Sequence, residues 1–172
     1  ENVAGTLQGH LPGTLTDRGK RQAEENAALL AKESIDALWT SDLARAKDTA
    51  EIIGARLGLS CYVTKQLREL DLAGYEGKPW GSVDWKHPLA GLELPEQGKQ
   101  RIERALDECY EKHADHTVAW IGHTGTLEML LMIATGKGFE NAWDMLKGAS
   151  THIGCTIFEY DGSHLSIESL NA

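Results

Sequence analysis

With 172 residues, 41% hydrophobic and 25% charged, and with 18 glycines but only 4 prolines, the chain has the composition of an ordinary folded domain; disorder, collagen and coiled coil are excluded. A formal charge of −9 argues against a basic nucleic-acid or membrane-surface binder, and no apolar run approaches the roughly 18 to 20 residues needed to cross a bilayer. Cys61, Cys109 and Cys155 are odd in number and lack CxxC spacing, so no disulfide framework or zinc ribbon is expected and a reducing, cytoplasmic compartment fits.

No repeat or low-complexity tract interrupts the chain, so residues 1–172 are read as one domain. Thr16 stands at an N-cap position before a helix over 17–32, where Ala23, Ala27, Leu30 and Ala31 share a face. Residues 35–40 read as a short buried strand. Ser41 is expected to cap a second helix that runs to about Leu57 and stops at Gly58. A strand follows at 61–64. Between 69 and 97 the glycines, prolines and tryptophans give no sustained period, and an irregular excursion with one short helix is expected; long loops of this kind are usually functional. Ile102, Ala105, Leu106 and Cys109 line one face of a third helix over 98–113, and 117–121 is a continuous apolar strand. Gly122-His-Thr-Gly125 opens a fourth helix that runs from Thr126 to about Ala134. Strands over 154–160 and 164–170, joined at Asp161-Gly162, form a closing hairpin. Alternating strands and helices imply an α/β fold, a three-layer α/β/α sandwich with a mostly parallel sheet.

Three residues stand where chemistry is expected. His123 lies between the C-terminal end of an apolar strand and the start of a helix, the place where open parallel sheets bind ligands. The amides near Thr124 and Gly125 favour an anion there; a histidine that merely caps the helix is the plain alternative. Arg45 sits in the first turns of the second helix and can fork onto phosphate oxygens, or else pair at the surface with Asp42 or Asp48. Glu69, flanked by leucines, is a candidate for partial burial, which raises a carboxyl pKa and makes a usable general acid. Asp71 competes for that role.

The order and wording of these segments resemble the histidine phosphatase superfamily, with its phosphoglycerate mutase-like fold, over nearly the whole chain. Asn2, Leu7-Gln-Gly9, Leu15-Thr-Asp-Arg-Gly19 and Gln22-Ala23 look like the stretch that follows the family's N-terminal catalytic motif. Ser41-Asp-Leu-Ala-Arg-Ala-Lys-Asp-Thr-Ala50 matches Ser-x-Leu-x-Arg-Ala-x-x-Thr-Ala. Leu67-Arg-Glu69 with Gly74-Tyr-Glu-Gly77, and then Gly122-His-Thr-Gly125, match its later motifs. The resemblance implies phosphoryl transfer to a histidine and release to water, without metal or cofactor, on a small phosphorylated metabolite. It assigns His123 and Arg45 to the phosphoryl group, Glu69 to general acid and base duty, and Asn2, Gln8, Gly9 and Thr124 to the substrate pocket.

In the family the nucleophile belongs to an Arg-His-Gly motif about six residues upstream of the position matched by Asn2. The chain opens at Glu1, and the expectation is a longer polypeptide whose first strand and nucleophile are not included. His10, in a loop, and His113 and His116, at the end of a helix, are expected to face solvent. The short spacing from Glu69 to His123 resembles the compact phosphatase branch rather than the phosphoglycerate mutases, which remain an alternative beside a non-catalytic phosphate-ligand binder. Trp80, Trp85 and Trp143 can line an apolar pocket or form the excursion's own small core, and Lys78 or Lys86 can meet a second anionic group. No HxH or HExxH spacing supports a metallohydrolase.

Overall fold

In the computed structural model, which describes residues 5–147 and 155–170, β1 (Ala37–Ser41) is the central strand of a three-stranded parallel sheet. It pairs on one side with β2 (Cys61–Thr64) and on the other with β3 (Val118–Ile121). Leu38 lies opposite both Cys61 and Ala119. Side chains alternate across this strand, and the alternation organises the molecule. Leu38 points into a core with Ala27 of α1 (Asp17–Leu30) and Ile53 of α2 (Ala44–Leu57). Trp39 points the other way, into the larger core beneath α3 (Pro95–His113), α4 (Thr124–Thr135) and α5 (Phe139–Lys147). Helices therefore cover both faces, as a parallel sheet with no polar face requires. The expected three-layer sandwich is present.

A second, antiparallel sheet consists of β4 (Ile157–Tyr160) and β5 (Leu165–Ser169). Leu165, Phe158 and Ile167 join the same core as Trp39. Among the described residues the two sheets do not pair, and β3 has a ladder only with β1. That free edge accounts for a departure from expectation: every residue of β3 is half-buried, whereas Leu38 to Ser41 of β1 are fully buried.

Local signals explain most element ends. Thr16 caps α1, its hydroxyl accepting the Gly19 N–H at 3.1 Å. Gly58 closes α2 in the left-handed region at φ 71°, where glycine carries no penalty. Helix α1 stops at Leu30, so Ala31 is its exposed C-cap rather than a core residue. Ser41 does not cap α2. It ends β1, and its hydroxyl accepts the Leu43 N–H at 3.2 Å while Leu43 takes the N-cap position. Helix α3 begins at Pro95, three residues before the expected start, because proline is preorganised for the first helical position. Its expected face is buried as a set: Ile102, Ala105, Leu106 and Cys109. Helix α4 begins at Thr124, two residues before the expected start. No element is expected over 135–153, yet Phe139, Ala142, Met145 and Leu146 form the inner face of α5. Gly154, the expected start of the hairpin, lies outside the described residues.

Gly54 tests how tightly α2 sits against the sheet. A Cβ there would stand 2.6 Å from the main-chain oxygen of Leu59, which also belongs to the connection into β2. Backbone cannot step aside as a side chain can, so Gly54→Ala is expected to lower stability by about 1–3 kcal/mol despite alanine's better helix propensity. Urea denaturation followed by circular dichroism measures it.

Candidate active site

The segments that leave the C-terminal ends of the three parallel strands converge. Residues 42–45 follow β1, 65–70 follow β2 and 122–125 follow β3. This is where the strand geometry of an open parallel sheet concentrates chain ends and helix N-termini.

Glu69 lies at the centre. Its Oε1 accepts the N–H of Leu70 at 2.9 Å and that of Gly125, in the first turn of α4, at 3.0 Å. The residue keeps some surface at the cleft, while its carboxyl is enclosed by protein. Burial pushes the carboxyl pKa up, and that outweighs the two amide hydrogen bonds and the charges of Arg45 and Arg101, which pull it down. Close packing leaves no slack, since a Cβ on Gly125 would come within 2.1 Å of Oε1. The amide expected to await an external anion at Gly125 is therefore already taken by the protein's own carboxyl.

His123 is the N-cap of α4, in extended backbone conformation. Its N–H donates to Thr126 Oγ1 at 3.3 Å, and that hydroxyl donates in turn to the carbonyl of Leu67 at 3.1 Å. Thr126 thus fastens the helix start to the loop that carries Glu69. The imidazole Nε2 is buried without a hydrogen-bond partner among the described residues. Burial, reinforced by the charges of Arg45, His10 and Arg101, lowers the His123 pKa to about 3. The ring is neutral at physiological pH and surrounded by cations, an arrangement that favours an anionic guest.

Arg45 reaches the 9–11 loop. Its Nη2 donates to the carbonyl of Gly9 at 2.8 Å and its Nη1 to that of Leu11 at 3.4 Å, while Asp42 is held by Arg68 through two bonds of 2.6 Å. Arg45 therefore anchors the 9–11 loop at the site and projects positive charge onto both Glu69 and His123. Gly9 is buried at φ 50°, in the left-handed region that glycine adopts without penalty, and a Cβ there would press on the Glu76 carboxyl, 2.3 Å from its Oε1. Gln8 is half-buried and its carbonyl accepts the Leu11 N–H at 2.9 Å. Thr124 is exposed at the first position of α4. Asn2 lies outside the described residues. Asp71 is half exposed and turned toward His10, leaving Glu69 as the enclosed carboxyl.

Two participants were not anticipated. His10, expected in solvent, has its side chain 24% exposed, with Nε2 donating to the Glu69 carbonyl at 2.8 Å and Nδ1 3.8 Å from Asp71 Oδ2. Its place directly after Gly9 was the available signal. Arg101 of α3 donates to the carbonyls of Gln66 and Arg68 at 2.6 and 2.9 Å and grips Glu93 through two further bonds. It shapes the loop leading to Glu69, and nothing in its local sequence announces that. Trp80, Trp85 and Trp143 are 60%, 38% and 46% exposed, so they are not an enclosed core of the excursion. Trp85 leans on Phe139 at 5.2 Å, and Trp80 Nε1 donates to the Thr6 carbonyl at 3.0 Å. Lys78 lies 5.0 Å over the Tyr75 ring, and Lys86 is exposed.

The electrostatics give a direct test. In the unliganded protein the His123 imidazole is expected to stay neutral down to about pH 3, far below the ordinary value of about 6.5. A dianion in the cleft stabilises the protonated ring. Sulfate, whose charge is constant from pH 4 to 8, should raise the His123 pKa by about one unit or more in a histidine NMR titration. An unmoved His123 signal at saturating sulfate would show that the cleft does not seat anions against this ring.

Comparison with known proteins agrees with this geometry. The profile of the "Histidine phosphatase superfamily (branch 1)" matches residues 1–172. "Putative phosphoserine phosphatase 2" of Hydrogenobacter thermophilus is 30% identical over 99% of this chain and 89% of its own length. "Probable phosphoglycerate mutase GpmB" of Yersinia pestis is 30% identical over 78% of this chain and 69% of its own. Among solved structures, a mycobacterial glucosyl-3-phosphoglycerate phosphatase complexed with VO3 superposes with a TM-score of 0.85 at 24% identity, covering 99% of this chain and 92% of that one. The protein whose strand ends gather Glu69, His123, Arg45 and His10 belongs to branch 1 of the histidine phosphatase superfamily.

Proposed function

We propose that the protein is a metal-independent phosphomonoesterase that acts through a phosphohistidine intermediate on a small phosphorylated metabolite. The observation that carries this reading is the pairing of an enclosed carboxyl, Glu69, with a buried imidazole, His123, whose Nε2 has no partner among the described residues. A carboxyl with a raised pKa can protonate a leaving oxygen near neutral pH and afterwards take a proton from water. A neutral imidazole among cations is ready to donate to phosphoryl oxygens once the guest's charge is in place.

In this reading the attacking imidazole forms an N–P bond as the ester P–O bond breaks, and Glu69 delivers its proton to the departing oxygen. Water then attacks phosphorus, gives its proton to Glu69 and frees the histidine. His123 and Arg45 hold the phosphoryl group. Gln8, Gly9, Thr124 and Asn2 border the substrate. The nucleophile is assigned to a further strand of the same single domain, one that completes the sheet at the free edge of β3. Parallel sheets are ordinarily covered and paired, which makes that edge the natural place for it.

The substrate class draws on the named relatives, a phosphoserine phosphatase and a glucosyl-3-phosphoglycerate phosphatase. A mutase reading, in which the phosphoryl group passes to a second hydroxyl instead of water, is favoured only by the phosphoglycerate mutase relative. The cytoplasm is proposed from cysteine usage; among the described residues no helix is long and apolar enough to cross a membrane.

Hydrolysis of p-nitrophenyl phosphate by the full-length natural polypeptide, with chelator present, tests the proposal. Turnover is expected to persist, and Glu69→Gln should lower kcat by about 10²- to 10⁴-fold, the usual contribution of a general acid. His123→Ala should cause a comparable loss. Zero turnover in the wild type with phosphate esters still binding would replace the enzyme reading with that of a phosphate-ligand binder.

A further inference from the structure

Glu93 takes no part in the steps assigned to Glu69 and His123, yet its carboxylate is tightly held. It stands at the inner end of the 69–97 excursion, two residues before α3 begins at Pro95. Its two oxygens meet the Arg101 guanidinium side by side, Oε1 accepting from Nε at 2.7 Å and Oε2 from Nη2 at 2.8 Å. The Glu93 and Arg101 side chains are 17% and 16% exposed. A fork met in this way is among the strongest ion-pair geometries, and a sheltered pair stays together because parting it leaves a charge uncompensated.

What the pair grips is the backbone on both sides of Glu69. Nη1 of Arg101 donates to the carbonyls of Gln66 and Arg68 at 2.6 and 2.9 Å. On the far side Glu93 Oε2 accepts the Asp71 N–H at 3.1 Å, and the Glu93 N–H donates to the Asp71 carbonyl at 2.8 Å. Only Glu69 and Leu70 lie between the two grips. Packing follows the same pattern: Leu67 and Leu70 share a core with Ile102 of α3, and a Cβ on Gly98 would stand 2.7 Å from Leu70 Cδ2. The stretch that carries Glu69 is therefore tied to Arg101 at both ends, directly on one side and through Glu93 on the other. From that stretch the Glu69 carboxyl reaches across to the Gly125 amide of α4.

We propose that Glu93 and Arg101 are a positioning pair for Glu69, holding the 66–71 backbone so that the carboxyl stays on the Gly125 amide at the cleft. A general acid acts only when its proton is aimed at the departing oxygen, and a misplacement of about 1 Å can cost on the order of 10²-fold in rate. Arg101 also lends its charge to Glu69 and His123. Lysine at this position keeps the charge and loses the fork, because one ammonium cannot meet two carboxyl oxygens and two carbonyls in a plane. Arg101→Lys therefore separates aim from field. The catalytic consequence rests on the phosphatase reading of Glu69. The brace itself does not.

Two measurements on the full-length natural polypeptide test the pair. Amide hydrogen exchange followed by NMR asks about position alone. The N–H groups of Leu70 and Gly125 report the Glu69 carboxyl that accepts them, and Arg101→Lys should speed their exchange by about 10-fold or more while the amides of α2 keep their protection. Unchanged protection at both overturns the brace. The second measurement compares phenyl phosphate with p-nitrophenyl phosphate. Phenolate is the poorer leaving group and needs the proton more, so a misaimed general acid falls more heavily on its ester. Arg101→Lys should lower kcat by about 10- to 100-fold on phenyl phosphate and clearly less on p-nitrophenyl phosphate, with KM nearly unchanged. It should add nothing to Glu69→Gln, because it acts through that carboxyl. An equal loss on both esters, or full additivity with Glu69→Gln, overturns the positioning role. Should Arg101→Lys fail to fold, Glu93→Gln, which keeps the shape of the acid and removes its charge, carries the same comparisons, and wild-type exchange and rates in that variant overturn the proposal. A Glu69→Gln variant that treats the two esters alike, or a wild type without turnover, overturns the general-acid reading of Glu69 and leaves the exchange result to decide the brace.

Discussion

One oxygen atom, Oε1 of Glu69, joins the two halves of the site. It receives the amide of its own neighbour Leu70 and the amide of Gly125 at the start of α4, so the loop after β2 and the turn after β3 are held in one place. Burying a charged carboxyl is costly, and two amide donors only partly compensate. The fold accepts this expense where the segments leaving the strand ends meet. Everything nearby is arranged around that atom. Thr126 fastens the helix to the Leu67 carbonyl, Arg101 grips the carbonyls of Gln66 and Arg68, and His10 reaches the carbonyl of Glu69 itself.

The balance of charge follows from the same constraint. The chain as a whole is acidic, with a formal charge of −9, yet the groups acting on His123 are mostly cationic. Arg45 and Arg101 each spend hydrogen bonds on backbone carbonyls. They are fixed as structural parts and act on the site through their charge. Fixed charges that need no rearrangement are worth more to an incoming anion than mobile ones. Local preorganisation overrides the net charge, which governs only the long-range field.

Much of this was legible in the sequence, for reasons that differ between elements. Helix α3 could be read because Ile102, Ala105, Leu106 and Cys109 repeat at helical spacing, and α1 because Thr16 marks its start. His123 and Arg45 could be placed because each follows a strand, where parallel topology concentrates a site, and Glu69 because the leucines on both sides pointed to its burial. The start of α2 was missed because serine's preference for caps says nothing of whether the strand has already ended; Ser41 still belongs to β1. Helix α5 is short and follows Gly136 and Gly138, so its period had little length in which to show itself. His10 and Arg101 enter the site through contacts 59 and 35 residues away in the chain. No local pattern records a contact of that kind.

The separation of those contacts bears on how the molecule comes to exist at all. Arg45 meets Gly9 across 36 residues, Glu69 meets Gly125 across 56, and Thr40 meets Ile121 across 81. Loops of that size close late, after local helices have formed, because their chain entropy must be overcome before the contact returns anything. A nascent or partly folded chain therefore carries Glu69 as an ordinary surface glutamate and His123 as an ordinary histidine. The perturbed carboxyl and imidazole arise together with the last long-range closures, and their shifted pKa values are in that sense a reporter of completed folding.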